Sequence, residues 1–127
     1  MKHSHAIRAL LAVFALGVGA TAEAHPKLLR ANPAANATVA GPTRVMLAFS
    51  ERLIAPMSGG DIIATALASR GTTAAIKVAG VTSAVIGGKS LMLTLKRPLA
   101  PGSYRLNWHV VSVDTHRVQG TFSFKVK

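Results

Sequence analysis

Three side chains near the two ends of the sequence are suited to bind a metal ion. His25 stands close to the N-terminus, and the triplet Asp-Thr-His that ends at His116 stands close to the C-terminus. Residues two apart in an extended segment point to the same side, so Asp114 and His116 can present one oxygen and one nitrogen to a common point, with Ser112 on the same side. Alone, the triplet is a weak signal, and the alternative is an ordinary turn that leaves the histidine in solvent.

The worth of His25 as a ligand depends on how the preceding residues are processed. Two positive charges are followed by the apolar run ALLAVFALGVGATA, which leads into Ala-Glu-Ala ending at Ala24. A charged head, a short apolar core and small residues at the −3 and −1 positions are typical of a secretory signal peptide. At about 14 residues the run is shorter than the ~20 of a membrane-spanning helix. We predict a signal peptide at 1–24 and one mature domain at 25–127, with no membrane span after cleavage.

Cleavage would turn His25 into a terminal residue with a free α-amine. That amine and the imidazole Nδ1 can close a chelate ring on one metal ion, and the amine binds its proton only weakly at neutral pH. Pro26 has no N–H, so the second residue offers no amide nitrogen as a competing ligand. The alternative is that His25 is simply the residue that follows the cleavage site.

Acidic residues are scarce, and two of them lie beside the candidate ligands. The full chain has 15 Lys and Arg against four Asp and Glu, a net charge of +11. After cleavage the acids are Glu51, Asp61 and Asp114, and Glu51 ends the predicted strand RVMLAFSE. A basic surface repels cations, so a cation site needs local carboxylates to offset that field. A solvent-facing strand end is the alternative for Glu51.

The combined donors identify the metal class. They are an amine, two imidazoles and one or two carboxylates, and the chain has no cysteine. A nitrogen-rich set without sulfur favours Cu(II), with Zn(II) as the main competitor.

Several other functions find no support. Without cysteine there are no disulfides and no thiol nucleophiles. No GxGxxG or GxSxG motif occurs, and three acids leave little scope for paired-carboxylate hydrolysis. The basic residues are scattered, aromatic residues are few, and export argues against a nucleic-acid partner.

Short β-rich segments between turn signals predict the fold class. An all-β sandwich or Greek-key barrel follows, because strands this short must stack in two sheets. In the longest strand, side chains alternate, which assigns Tyr104 and Trp108 to the core and His109 to the opposite face. We therefore leave His109 out of the metal site. The predicted strands are Arg44–Phe49, Ile62–Ala68, Ala74–Val78, Leu91–Leu95, Gly102–Val111 and Gly120–Lys125.

Three stretches of the sequence resemble a known family. AHPKLLRANPAANATV, VMLAFSERL and LAPGSYRLNWHVVSVDTHRVQGTFSFKV are together similar to the CopC-type periplasmic copper-binding proteins of the CopC/YobA family. The resemblance extends over essentially the whole mature region.

This resemblance implies an immunoglobulin-like Greek-key sandwich of about seven strands. It implies a Cu(II) site at His25, Asp114 and His116 with Glu51 as a nearby contributor. It further implies a periplasmic, non-enzymatic role in carrying or sequestering copper for resistance or homeostasis, with a CopD-like inner-membrane copper protein as partner. Some members have a methionine-rich loop that binds Cu(I), whereas the matching stretch here offers only Met57, so we do not expect a separate Cu(I) site.

Two alternative functions stay open from the sequence. A copper-dependent enzyme of the lytic polysaccharide monooxygenase type would use a similar N-terminal histidine chelate, although the small domain offers little flat surface for a polysaccharide. An exported β-sandwich that binds another protein through its basic surface would need no metal.

Overall fold

The computed structural model describes residues 25–71 and 75–127. The predicted signal peptide at 1–24 lies outside these residues, as does the first residue of the predicted strand 74–78. Within the described ranges the chain forms nine β-strands and one short 3₁₀ turn, Ala55–Met57. In the same ranges there is no helix of the length and apolar character that crossing a bilayer demands.

All the predicted strands have counterparts in the structure, with bounds that differ at some ends. The observed strands are β1 (Leu28–Asn32), β2 (Thr38–Val39), β3 (Arg44–Phe49), β4 (Gly59–Leu67), β5 (Ile76–Lys77), β6 (Thr82–Ile86), β7 (Ser90–Thr94), β8 (Gly102–Val111) and β9 (Arg117–Val126). The sequence did not predict β1, β2 or β6. Strand β6 forms an edge and only one of its five side chains, that of Val85, is half-buried, so it lacks the alternation that marked the inner strands.

The nine strands form two sheets. One sheet has the order β1-β3-β7-β6 and the other has the order β2-β9-β8-β4-β5. Neighbouring strands are antiparallel except for β2 and β9, which are parallel. Since β3 and β4 belong to different sheets, as do β7 and β8, the connections cross between the layers. The predicted all-β class is confirmed, with nine strands where about seven were expected.

The space between the sheets is filled by the inward side chains predicted from alternation. Along β8, Tyr104, Leu106, Trp108 and Val110 are buried, whereas Arg105 is exposed. The Trp108 ring packs edge-on against Phe49 of the other sheet, with ring centroids 5.1 Å apart. This contact ties the two sheets together near the end of β3, where the chain runs on to Glu51.

The hairpin of β8 and β9 positions the Asp-Thr-His triplet. Its ladder is continuous from the pair Gly102–Val126 to the pair Val111–Arg117. The residues between Val111 and Arg117 therefore form the tip of the longest hairpin, at one end of the sandwich.

Candidate metal centre

The hairpin tip is a compact turn and not the extended segment expected from the sequence. The Ser112 N–H donates to the His116 carbonyl at 3.0 Å, and the Thr115 N–H donates to the Ser112 carbonyl at 2.8 Å. Thr115 has a φ of 72°, a left-handed conformation that a β-branched residue seldom adopts. The turn still brings Asp114 and His116 together, by reversing the chain rather than by strand alternation.

Asp114 and His116 are in direct contact. Asp114 Oδ2 lies 3.0 Å from His116 Nδ1, and the hydroxyl of Ser112 donates a hydrogen bond to Asp114 Oδ1. The Ser112 hydrogen bond, with a smaller contribution from His116, lowers the pKa of the Asp114 carboxyl below its usual 3.8. Asp114 is therefore a carboxylate at neutral pH, held in place by a buried serine.

This contact decides which nitrogen of His116 suits a metal. A carboxylate at Nδ1 favours the tautomer with its proton there, which presents Nε2 as the electron-pair donor. Each oxygen of the Asp114 carboxylate accepts one hydrogen bond and has a further lone pair, so Asp114 can keep both contacts and still offer an oxygen to a metal.

His25 lies against His116. Their ring centroids are 4.5 Å apart and the rings are tilted by 54°. The segment after His25 is held by two hydrogen bonds: the Lys27 N–H donates to Ser50 Oγ and the Ser50 N–H donates to the Lys27 carbonyl, both at 2.9 Å. Pro26, which stands between His25 and Lys27, is buried. The end of β3 thus fixes the N-terminal segment at the rim that carries the hairpin tip.

Glu51 lies on the chain segment that joins these two parts. It follows Ser50, and Leu53 pairs with Ser112 in an isolated antiparallel bridge. The Val113 N–H also donates to the Arg52 carbonyl at 3.0 Å. The Glu51 side chain is half-buried, and its backbone is tied on one side to the N-terminal segment and on the other to the hairpin tip.

The four predicted residues therefore come from one rim of the sandwich, but they do not form a closed ligand cluster. His25 contacts His116, and His116 contacts Asp114. Among residues 25–71 and 75–127, no group of three or more His, Asp or Glu side chains is arranged to hold a metal ion. Glu51 is thus a neighbour of the pairwise contacts and not a member of them.

The role of Ser112 was missed by sequence reasoning. Its direction was noted, yet its burial to 1% exposure and its hydrogen bond to Asp114 were not foreseen. The signal was its position at the end of the alternating strand, directly after the buried Val110 and Val111.

Two residues left out of the predicted site lie elsewhere on the sheet or in the turns. His109 is half-buried, and its ladder partners are Gly59 and Gln119. Met57 ends the 3₁₀ turn and is 52% exposed.

The chain matches one family model and several curated relatives. The CopC domain model matches residues 28–127. Copper resistance protein C of Xanthomonas campestris pv. juglandis is 44% identical over 108 residues, which cover 85% of this chain and 84% of the relative. Protein YobA of Escherichia coli (strain K12) is 37% identical over 105 residues, which cover 82% of this chain and 80% of that protein.

Solved structures are also similar to this chain. PcoC from Escherichia coli, described as a methionine-rich copper resistance protein, has a TM-score of 0.73 and 35% identity, covering 82% of this chain and all of that chain (100%). CopC from Methylosinus trichosporium has a TM-score of 0.65 and 30% identity, covering 81% of this chain and 94% of that chain.

Proposed function

The chain belongs to the CopC domain family, and from that premise we propose that it binds Cu(II) in the periplasm and carries or sequesters copper for resistance or homeostasis. Relatives are named Copper resistance protein C, which supports copper as the cargo. The proposal includes removal of residues 1–24, so that His25 becomes the first residue of the mature domain.

The observation that carries the proposal is the contact between His25 and His116. Two imidazoles from opposite ends of the domain lie with centroids 4.5 Å apart. Imidazole is the commonest metal ligand in proteins, so two imidazoles in contact at an exposed rim are a candidate pair of ligands for one ion.

In the proposed site the metal is bound by His25, His116 and Asp114, with Glu51 as a further carboxylate. His25 supplies its imidazole and, after cleavage, its α-amine, while His116 supplies Nε2. This set is rich in nitrogen and free of sulfur, which suits Cu(II), the most tightly bound of the divalent first-row metals. The carboxylates offset the positive field of the surrounding basic surface.

Carriage or sequestration fits the exposure of the site better than catalysis does. His25, Asp114 and His116 are all exposed, so a metal held there can be loaded and transferred by direct contact with another protein. We propose a CopD-like inner-membrane copper protein as that partner and assign the chain no enzymatic activity. Tyr104 and Trp108, the aromatic residues that a polysaccharide could stack on, are buried, which argues against the monooxygenase alternative.

The experiment that tests the proposal has two readouts. Intact mass of the exported protein reports whether cleavage leaves His25 first, and Cu(II) titration followed by EPR reports whether nitrogen ligands bind one equivalent. The matched control retains Ala24 ahead of His25 and so removes only the free amine at that position. Tight, nitrogen-ligated binding that weakens in the control supports the proposal. Equal binding in both forms, or none in the cleaved form, contradicts it.

A further inference from the structure

A cavity of about 520 Å³ lies at the end of the sandwich away from the metal centre. Strand β8 connects the two: Tyr104, near its start, lines the cavity, and Val111, at its end, leads into the hairpin tip. At ~3.3 Å per residue these two positions are more than about 20 Å apart. The cavity is therefore separate from the proposed copper site.

The inner wall of the cavity is apolar. Leu95, Leu99 and Tyr104 line it and are buried. The Tyr104 hydroxyl donates to the Ala100 carbonyl at 2.5 Å, so this hydroxyl already has a hydrogen-bond partner. At the outer side Ile76 is 36% exposed, which leaves apolar surface open to solvent at the cavity mouth.

The rim of the cavity is basic. Lys96 and Arg97 are exposed lining residues. The stem of Lys96 packs over Gly80, where an added Cβ would lie 2.9 Å from Lys96 Cδ, so the stem forms part of the wall while the ammonium group stays in solvent. Lys77 also lines the cavity, but its Nζ is paired with Asp61 at 3.1 Å. None of the described residues that line the cavity is acidic.

From this combination we propose that the cavity binds a single-chain anionic amphiphile such as a fatty carboxylate. The alkyl chain would replace water against Leu95 and Leu99, and the carboxylate would meet Lys96 and Arg97. The volume lies within the range of about 300–1,000 Å³ that is usual for small-molecule sites. Charge-assisted hydrogen bonds from the rim would select an anionic head group over a neutral or cationic one.

A free amphiphile fits this site better than a bilayer surface does. The lining residues come from both sheets, with Tyr104 on β8 and Leu95 directly after β7, and Lys96 and Arg97 add positive charge to the same lining. The proposal does not depend on copper binding, because no residue of the cavity belongs to the metal centre and the test uses metal-free protein.

The test titrates the metal-free mature domain with decanoate below its micelle concentration and follows backbone amide shifts by NMR. Decanol and decyltrimethylammonium, which share the chain length, are the neutral and cationic probes. We expect saturable shifts at Leu95, Leu99 and Tyr104 with decanoate, with weaker binding of the other two probes. Equal binding of all three, or shifts centred elsewhere, would overturn the proposal.

Two double variants test whether decanoate binding depends on the cations that line the cavity or on the net positive charge of the domain. Lys96→Gln with Arg97→Gln should weaken decanoate binding by about 3- to 10-fold at low salt, as expected for partly exposed charge pairs. Lys27→Gln with Lys89→Gln removes the same charge at the other end of the sandwich and should leave the affinity unchanged. Equal effects of the two double variants would contradict the assignment.

A filling variant and a vesicle experiment complete the test. Ala79, an exposed lining residue, is replaced by Phe to occupy the cavity, and circular dichroism checks that the variant folds. Loss of decanoate binding in the folded Ala79→Phe variant supports the proposal. Retained binding there, or binding to phosphatidylglycerol vesicles without any response to monomeric decanoate, overturns it.

Discussion

The imidazole rings of His25 and His116 lie 4.5 Å apart, centroid to centroid, although one precedes the first strand and the other ends the hairpin tip between β8 and β9. The N-terminal partner is held there by the two hydrogen bonds between Lys27 and Ser50. The hairpin partner is held by the Ser112 carbonyl and N–H within its own turn. Both histidines are thus positioned by hydrogen bonds that do not require a metal, which reduces the ordering needed when a metal binds.

Replacement of His25 should weaken Cu(II) binding far more than replacement of the exposed methionine. We expect His25→Ala in the cleaved protein to lower the affinity by at least about 100-fold, since loss of outer-shell partners alone typically costs about 10- to 100-fold. Met57→Ala should have little effect, because Cu(II) prefers nitrogen and oxygen donors to a thioether. Competition titration against a chelator of known affinity measures both.

His109→Ala is the matched control for loss of an imidazole. If His25→Ala and His109→Ala reduced the affinity equally, Cu(II) would be bound by histidines in general and not at the rim that carries His25.

Ser112→Ala should weaken Cu(II) binding without removing a ligand. The Ser112 hydroxyl donates to Asp114 Oδ1, and Asp114 in turn contacts His116 Nδ1, so its loss frees the carboxylate to rotate. We expect an affinity about 10-fold lower and an unchanged number of nitrogen ligands by EPR. Ser123→Ala, an exposed serine on β9, is the control. An affinity that Ser112→Ala leaves unaltered would rule out a positioning role for this hydroxyl.

The sequence predicted the fold well wherever one face of a strand is buried. Strand β8 shows the clearest alternation, and its observed bounds agree with the prediction. Strand β2 has only two residues, which is too short for any period to appear. Strand β5 also has two residues, within the longer strand predicted at 74–78. The edge strand β6 exposes most of its side chains, so burial imposes no alternation on its sequence.

The site was predictable in its residue types but not in its arrangement. The sequence identified His25 and His116 as candidate partners, and the structure brings them into contact. The sequence predicted an extended Asp-Thr-His triplet. In the structure the chain turns at Thr115, which is left-handed, because the long β8–β9 ladder closes at Val111 and Arg117. The turn follows from the pairing of two consecutive strands, and the second of them was predicted to begin at Gly120, whereas β9 begins at Arg117. Direct ligation by Glu51 stays a prediction.

Acid should destabilise the metal-free protein partly through Asp114. Its pKa is lowered in the folded protein, so the ionised carboxylate contributes stability that is fully present above its usual value of 3.8 and is lost as the pH falls below it. Ser112→Ala removes the main cause of the lowered pKa. We expect NMR titration to show a higher Asp114 pKa in this variant.

The stability of the Ser112→Ala variant against urea should also depend less on pH than that of the wild type. Between about pH 6 and about pH 3, the urea midpoint should fall less in Ser112→Ala than in the wild type, because less of the variant's stability depends on the ionised carboxylate. An equal fall in both proteins would assign the acid sensitivity to other groups.

Gly120 should tolerate no side chain while Trp108 occupies its present place in the core. The two residues are paired across β8 and β9, and a Cβ on Gly120 would lie 2.4 Å from Trp108 Cζ2. We expect Gly120→Ala to lower the free energy of unfolding by about 1–3 kcal/mol, the usual cost of overpacking. In a Trp108→Phe background the same substitution should cost less, because the smaller ring vacates the clashing position, and the double-mutant cycle isolates this coupling.

The chain has one tryptophan, so its fluorescence in urea reports unfolding of the Gly120→Ala single variant. Circular dichroism reports unfolding of the variants that carry Trp108→Phe. An equal cost in both backgrounds would show that contact with the indole is not what demands glycine there.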